Sequence, residues 1–128
     1  MALKLTLKPT ERMIIGGAVV RNGSGKVELY IENNVPLLRE KDIMGEGDAD
    51  TIAKKIYFTI QLMYIDQDNL ISHHNAYWGL VQQLIKAAPS TTGLVDDISE
   101  QIVGSNYYQA LKLARKLIAR EEEIMSRV

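Results

Sequence analysis

Apolar and polar residues alternate at the start of the chain, where Leu3, Leu5 and Leu7 interleave with Lys4, Thr6 and Lys8. A period of two predicts a strand with one dry face and one basic, wet face. Pro9 interrupts it. A second apolar run over residues 13–20 contains Gly16 and Gly17, where the missing Cβ atoms suit a β-bulge or a close backbone approach. Residues 21–26 read Arg-Asn-Gly-Ser-Gly-Lys, and Asn-Gly between strand-like runs predicts a hairpin because both central turn positions need positive φ. Val27, Leu29 and Ile31 then alternate with Glu28, Tyr30 and Glu32, and Asn33-Asn34 leads into a short apolar run over residues 35–38.

Past Gly45-Glu46-Gly47-Asp48 the pattern changes to that of helices. Ile52, Ile56, Ile60 and Met63 form one stripe flanked by Tyr57 and Tyr64, predicting a helix over residues 50–65 with Asp48 or Asp50 as N-cap. A second helix over residues 69–88 turns Leu70, His74, Tyr77, Val81, Leu84 and Ile85 inward and stops at Pro89. A third, over residues 93–103, shows Leu94, Val95, Ile98 and Ile102 and ends at Gly104. Ser105 or Asn106 caps a fourth, with Tyr107, Ala110, Leu111, Ala114, Leu117 and Ile118 inside. The expected class is α+β: a small N-terminal antiparallel sheet over residues 1–45, then a bundle of four helices over residues 46–128. So thin a sheet must lie against helices or a second copy of itself, and a homodimer is expected.

The chain of 128 residues has no cysteine, which excludes disulfides, thiolate metal sites and cysteine nucleophiles. No stretch approaches the about 20 apolar residues of a membrane span, and the start of the chain lacks the apolar core of an export signal. A cytoplasmic protein is expected, without membrane contact. Net charge is −1, too low for strong non-specific attraction to nucleic acid. Its distribution is uneven: residues 1–45 hold seven basic and five acidic side chains, whereas the remainder holds eight and eleven. Any RNA surface should lie in the N-terminal part.

Catalytic and metal patterns are weak. The adjacent His73 and His74 lack the i, i+4 spacing of a metal pair and are expected to be ordinary helix histidines, one of them against Trp78. No serine nucleophile motif, dinucleotide-binding loop or P-loop is present, and Asp96-Asp97 reads as early-helix charge. Neither enzymatic activity nor a cofactor is expected. RNA contact is the sharper reading, carried by Lys4, Lys8, Arg12, Arg21, Lys26, Arg39 and Lys41, since cations about 7 Å apart along a strand can follow a phosphate backbone. Glu28 and Glu32 offer the alternative of cross-strand pairing with Lys4 and Lys8, and Arg39 that of holding the sheet to Asp42 or Glu40. On the fourth helix Lys112, Arg115, Lys116 and Arg120 form a basic stripe, either a solvated face or a docking surface for a helical partner.

The blocks A-V-V-R-N-G at 18–23, V-P-L-L-R-E-K-D-I-M at 35–44, A-K-K-I-Y-F at 53–58, L-M-Y at 62–64 and Y-Y-Q-A-L-K at 107–112 resemble the flagellar biosynthesis repressor family FlbT over nearly the whole chain. The resemblance implies a post-transcriptional repressor binding the 5′ leader of flagellin messenger RNA, beside a small FlaF-like flagellar partner. A second resemblance covers L-T at 5–6, Glu11, Ile15-Gly16 and R-E-x-x-I at 39–43. These residues are similar to the carbon storage regulators, small β-dimers that bind messenger RNA with their first and last strands. That resemblance matches Arg39 to their closing-strand arginine and Lys4, Thr6 and Lys8 to their first-strand contact region. Thr10 stands where both families usually have glycine.

Overall fold

The computed structural model of the chain describes residues 2–127. It is an α+β protein that divides into two compact units, Met1–Ile43 and Met44–Val128. The N-terminal unit contains β1 (Leu3–Leu7), β2 (Arg12–Ile15), β3 (Ala18–Arg21), β4 (Val27–Ile31) and β5 (Leu37–Arg39). Strands β1 and β4 form an antiparallel ribbon; β3, β2 and β5 form a three-stranded antiparallel sheet with β2 in the middle. In the ribbon Leu3 lies opposite Ile31, Leu5 opposite Leu29 and Leu7 opposite Val27, so the alternating leucines share one face with apolar partners. Leu7, Met13, Ile14 and Leu38 make the buried core of this unit.

Two turn assignments change. Gly16 and Gly17 are not a bulge within one strand; they close a two-residue hairpin in which Ile15 faces Ala18. Gly16 has φ 61°, the positive angle needed at the first central position of a type II′ turn, whose twist matches the flanking strands. Asn22-Gly23 joins strands that belong to different sheets and has no positive φ. The Asn22 amide instead donates to the carbonyls of Lys8 (2.8 Å) and Gly25 (2.8 Å), while the Thr10 amide donates to Gly23 O (2.8 Å). Asn22 thus ties the loop before β4 to the turn after β1.

That turn carries strain. Residues 8–11 close with Glu11 N donating to Lys8 O at 3.1 Å; Pro9 occupies the first central position and Thr10, at φ 62°, the second. This is the type II arrangement, which favours glycine where Thr10 stands. Thr10→Gly should stabilise the N-terminal unit by about 1 kcal/mol, the relief of a left-handed β-branched residue minus the backbone entropy glycine loses. A melting temperature that stays level or falls in this variant would show that the turn is unstrained.

The C-terminal unit contains α1 (Ile52–Ile65), α2 (Leu70–Ala87), α3 (Thr92–Val103) and α4 (Tyr107–Ser126). Helix α1 packs against both α2 and α4, and α3 packs against α4. Ala53, Ile56, Tyr57, Ile60 and Met63 are buried on α1, with Tyr77, Val81 and Leu84 on α2, Val95, Ile98 and Ile102 on α3, and Tyr107, Ala110, Leu111, Ala114 and Leu117 on α4. The N-cap of α1 is Thr51, whose hydroxyl accepts from Lys54 N at 3.2 Å, in place of Asp48 or Asp50. Glu121, from the last third of α4, accepts from Ala53 N at 3.0 Å and places a negative charge where the α1 dipole favours it. Helix α3 ends with Gly104 as its C-cap, the positive φ of the turn that follows falls on Ser105 (60°), and Asn106 is the N-cap of α4 without a side-chain hydrogen bond.

Gln61 is a buried polar side chain on α1. Its Oε1 accepts from Met44 N at 2.8 Å and its Nε2 donates to Met44 O at 3.0 Å. Both amide functions therefore pair with one residue's backbone, fixing the segment that leads into α1.

Candidate nucleic-acid interface

Arg39 ends β5 inside an apolar sequence, and its side chain crosses to β1. Its Nη2 donates to Thr6 O at 2.8 Å and to Glu11 Oε2 at 3.1 Å. Glu11 is reached from the other side by Lys8 N, which donates to Oε1 at 2.9 Å. The hydrogen bond from the Lys8 backbone, reinforced by the one from Arg39, holds the Glu11 carboxyl below its usual range. The Arg39 partner is therefore Glu11, whereas Glu40 pairs with Arg12, accepting from its backbone N at 3.2 Å and lying 3.7 Å from its Nε. Arg39 Nε is buried and has no hydrogen-bond partner among the described residues.

Around this pair lies an open cleft of about 480 Å³ lined by Lys8, Pro9, Glu11, Arg39, Glu40 and Lys41. Three cationic and two anionic side chains meet there. Lys26 directly precedes Val27, the partner of Leu7, so the register brings Lys26 to the same end of the ribbon as Lys8. Arg12 and Arg21 are directly opposite in the β2 and β3 ladder, a like-charge pair whose repulsion Glu40, lying against Arg12, offsets only in part. Lys4 stands apart and meets Glu28 at 3.4 Å, with both side chains more than half exposed, an exposed pair worth less than about 1 kcal/mol. Its direct cross-strand neighbour is Tyr30, so the contact with Glu28 is diagonal. Lys4, Arg12 and Arg39 are thus engaged with acids, whereas Lys8, Arg21 and Lys26 form no ion pair among the described residues.

On α4 the basic stripe is largely held within its own unit. Lys112 Nζ lies 4.9 Å above the Tyr108 ring; the Arg115 guanidinium lies 5.2 Å from the Tyr57 ring and donates to its hydroxyl at 3.3 Å. Arg120 pairs with Glu123 at 2.9 Å, and Lys116 is exposed. The histidines do not pack on Trp78: His73 Nε2 lies 3.0 Å from Asp66 Oδ2, and His74 Nε2 lies 3.3 Å from the Tyr107 hydroxyl. Asn69, followed by His73, keeps the Asp66 carboxyl below its usual range. Among the described residues no three His, Asp or Glu side chains are arranged to hold a metal ion, and no helix is long and apolar enough to cross a membrane. Sequence reasoning missed Glu11 as the Arg39 partner and Asn22 as a loop tie, because each works through contacts with residues distant in the chain.

A charged β-unit followed by a four-helix unit defines a small two-part α+β protein with a mixed-charge cleft in its N-terminal unit. The chain belongs to the FlbT family: the family model described as flagellar protein FlbT matches residues 3–125. A FlbT protein of Bradyrhizobium diazoefficiens is 44% identical over 97% of this chain and 85% of its own length. One from Rhodopseudomonas palustris is 39% identical over 99% of this chain and 100% of its own. The flagellum biosynthesis repressor protein FlbT of Caulobacter vibrioides is 36% identical over 100% of this chain and 92% of its own. No solved structure matches the chain.

Proposed function

We propose that this chain represses flagellum biosynthesis after transcription, by binding the 5′ leader of flagellin messenger RNA through its N-terminal unit and lowering translation or stability of the message. Relatives named as flagellum biosynthesis repressors over nearly the full chain support the repressor role. The observation that carries the RNA reading is the cleft, where Lys8, Arg39 and Lys41 converge with Glu11 and Glu40, together with Arg21 and Lys26, which like Lys8 form no ion pair among the described residues. The mechanism is occlusion, with no covalent chemistry and no cofactor. It takes place in the cytoplasm, with a dimer or a FlaF-like partner raising the effective concentration of a weak basic patch.

If the unpaired Lys8, Arg21 and Lys26 neutralise three phosphates, leader affinity should fall about 20-fold between about 50 and 200 mM salt. Arg21→Gln should reduce the slope of log affinity against log salt by about 0.7, while stabilising the sheet by a few tenths of a kcal/mol through removal of the like-charge pair. A purely structural role would give the second effect without the first. The competing reading is a protein-binding adaptor without RNA contact, favoured by the engagement of Lys4, Arg12 and Arg39 with glutamates. Salt-insensitive binding, or none, by purified protein would select it.

A further inference from the structure

The helical unit exposes an apolar strip that its own packing does not explain. Trp78 on α2 is 42% exposed and Val103 on α3 79%; Ile71, two turns before Trp78 on the same side of α2, is 82% exposed. Between Trp78 and Val103 lies a depression of about 490 Å³ lined also by Val95, Asp96, Ser99 and Glu100. The indole is held in place from below. Tyr77, fully buried, meets it edge-on with ring centroids 5.0 Å apart, and the Tyr77 hydroxyl is bonded to Ser99 at 2.8 Å. Burial raises the Tyr77 pKa against the opposing effect of that bond, so the hydroxyl stays protonated.

Charge specifies the occupant. Asp96 and Glu100 are exposed and one turn apart on α3, which carries Asp97 as well and no lysine or arginine from Thr92 to Val103. A fixed aromatic, an apolar far end and a paired acidic edge match a helix that presents large apolar residues at i, i+3 and i+7 beside lysine or arginine.

We infer that the groove between α2 and α3, floored by Trp78 and edged by Asp96 and Glu100, is a docking site for a basic amphipathic helix of another protein. The site shares no residue with the α4 stripe or with the N-terminal cleft, and it does not depend on RNA binding. Three of the four α4 cations, Lys112, Arg115 and Arg120, already lie on tyrosine rings or beside a glutamate, whereas this groove offers uncovered apolar surface together with uncompensated negative charge.

Trp78 is the only tryptophan in the chain, so its fluorescence reports directly on the groove. The probe is an 18-residue Leu/Lys amphipathic helical peptide without aromatic residues, titrated into the full-length protein alongside the same peptide with glutamate for lysine. The basic peptide should shift Trp78 emission to shorter wavelength with saturation, and the acidic one should leave it unchanged. Asp96→Asn with Glu100→Gln should weaken binding at least about fivefold, whereas Glu122→Gln with Glu123→Gln on α4 should have no effect. Val103→Ser, at an exposed position where folding is unaffected, should weaken it about threefold. Unchanged emission, equal response to both peptides, or equal loss in both acid-to-amide variants would overturn the assignment. Emission that moves with protein concentration alone would overturn it too, by making a second copy the occupant. RNA binding is measured separately, so the failure of either reading leaves the other intact.

Discussion

Arg39→Met is expected to destabilise the N-terminal unit by about 2 kcal/mol, the cost of losing a charge-assisted hydrogen bond and taking a donor away from each of its two acceptors. One guanidinium satisfies the Thr6 carbonyl on β1 and the Glu11 carboxylate in the turn. Shortening it opens the junction between the ribbon and the three-stranded sheet, in a unit whose buried apolar core is Leu7, Met13, Ile14 and Leu38. Hydrogen exchange should speed up for amides of β1 and β5 while those of α1 keep their protection. Glu11 is only 12% exposed and Arg39 35%, so the pair is shielded more than an ordinary surface bridge. Removing both charges with Glu11→Gln and Arg39→Met should therefore cost less than the sum of the single changes. Strict additivity would mean that the two side chains are energetically independent.

Acid should act through the same contact. Because Glu11 has a lowered pKa in the folded chain, its contribution is fully present above the ordinary carboxyl value near 4.5. It is lost as pH falls through the depressed folded value. Wild type should lose stability in that window more steeply than the Glu11→Gln variant.

Gln61→Leu is expected to cost the helical unit about 2–3 kcal/mol, since an apolar side chain of similar size leaves both the Met44 amide and carbonyl unpaired. The leucine fits a helix that already buries Ile60 and Met63, so lost hydrogen bonding and not poor packing carries the effect. Gln67→Leu, at an exposed position where the amide meets only Tyr64 O at 3.3 Å, should change stability by less than about 0.5 kcal/mol. Far-UV circular dichroism melts of the two variants separate these cases. Similar melting temperatures would remove Gln61 from the list of side chains that hold the unit together.

The helices were legible because their signal is local. Ile56, Ile60 and Met63, or Ala110, Leu111, Ala114 and Leu117, recur at helical spacing, and the buried faces follow that spacing. Strand pairing was not legible. Alternation in residues 3–7 and 27–31 shows which side chains share a face but not which strand lies beside which, and β1 reaches past β2 and β3 to pair with β4. Glycine was ambiguous for a related reason: a bulge and a tight hairpin both call for a residue without Cβ, and only the partner strand decides between them. Arg39 stood out by its apolar surroundings, yet the nearby Glu40 and Asp42 were the expected partners. Glu11, 28 residues away, takes that place because β5 lies antiparallel beside β2 and so draws close to the turn before it. Trp78 gives no sign of a docking role in the sequence, since a single aromatic on a helix carries no periodic signature of its own.

The order of strands along the chain also bears on synthesis. As the polypeptide leaves the ribosome, the β2 and β3 hairpin can close as soon as residue 21 emerges, but β1 must wait for Val27–Ile31 before any ladder forms along it. The Thr6 carbonyl waits longer still, for residue 39. Until then a nascent chain presents the leucine face of β1 unmated, so a pause in translation between those points would leave the newborn protein most open to chaperone capture and to sticking to its neighbours.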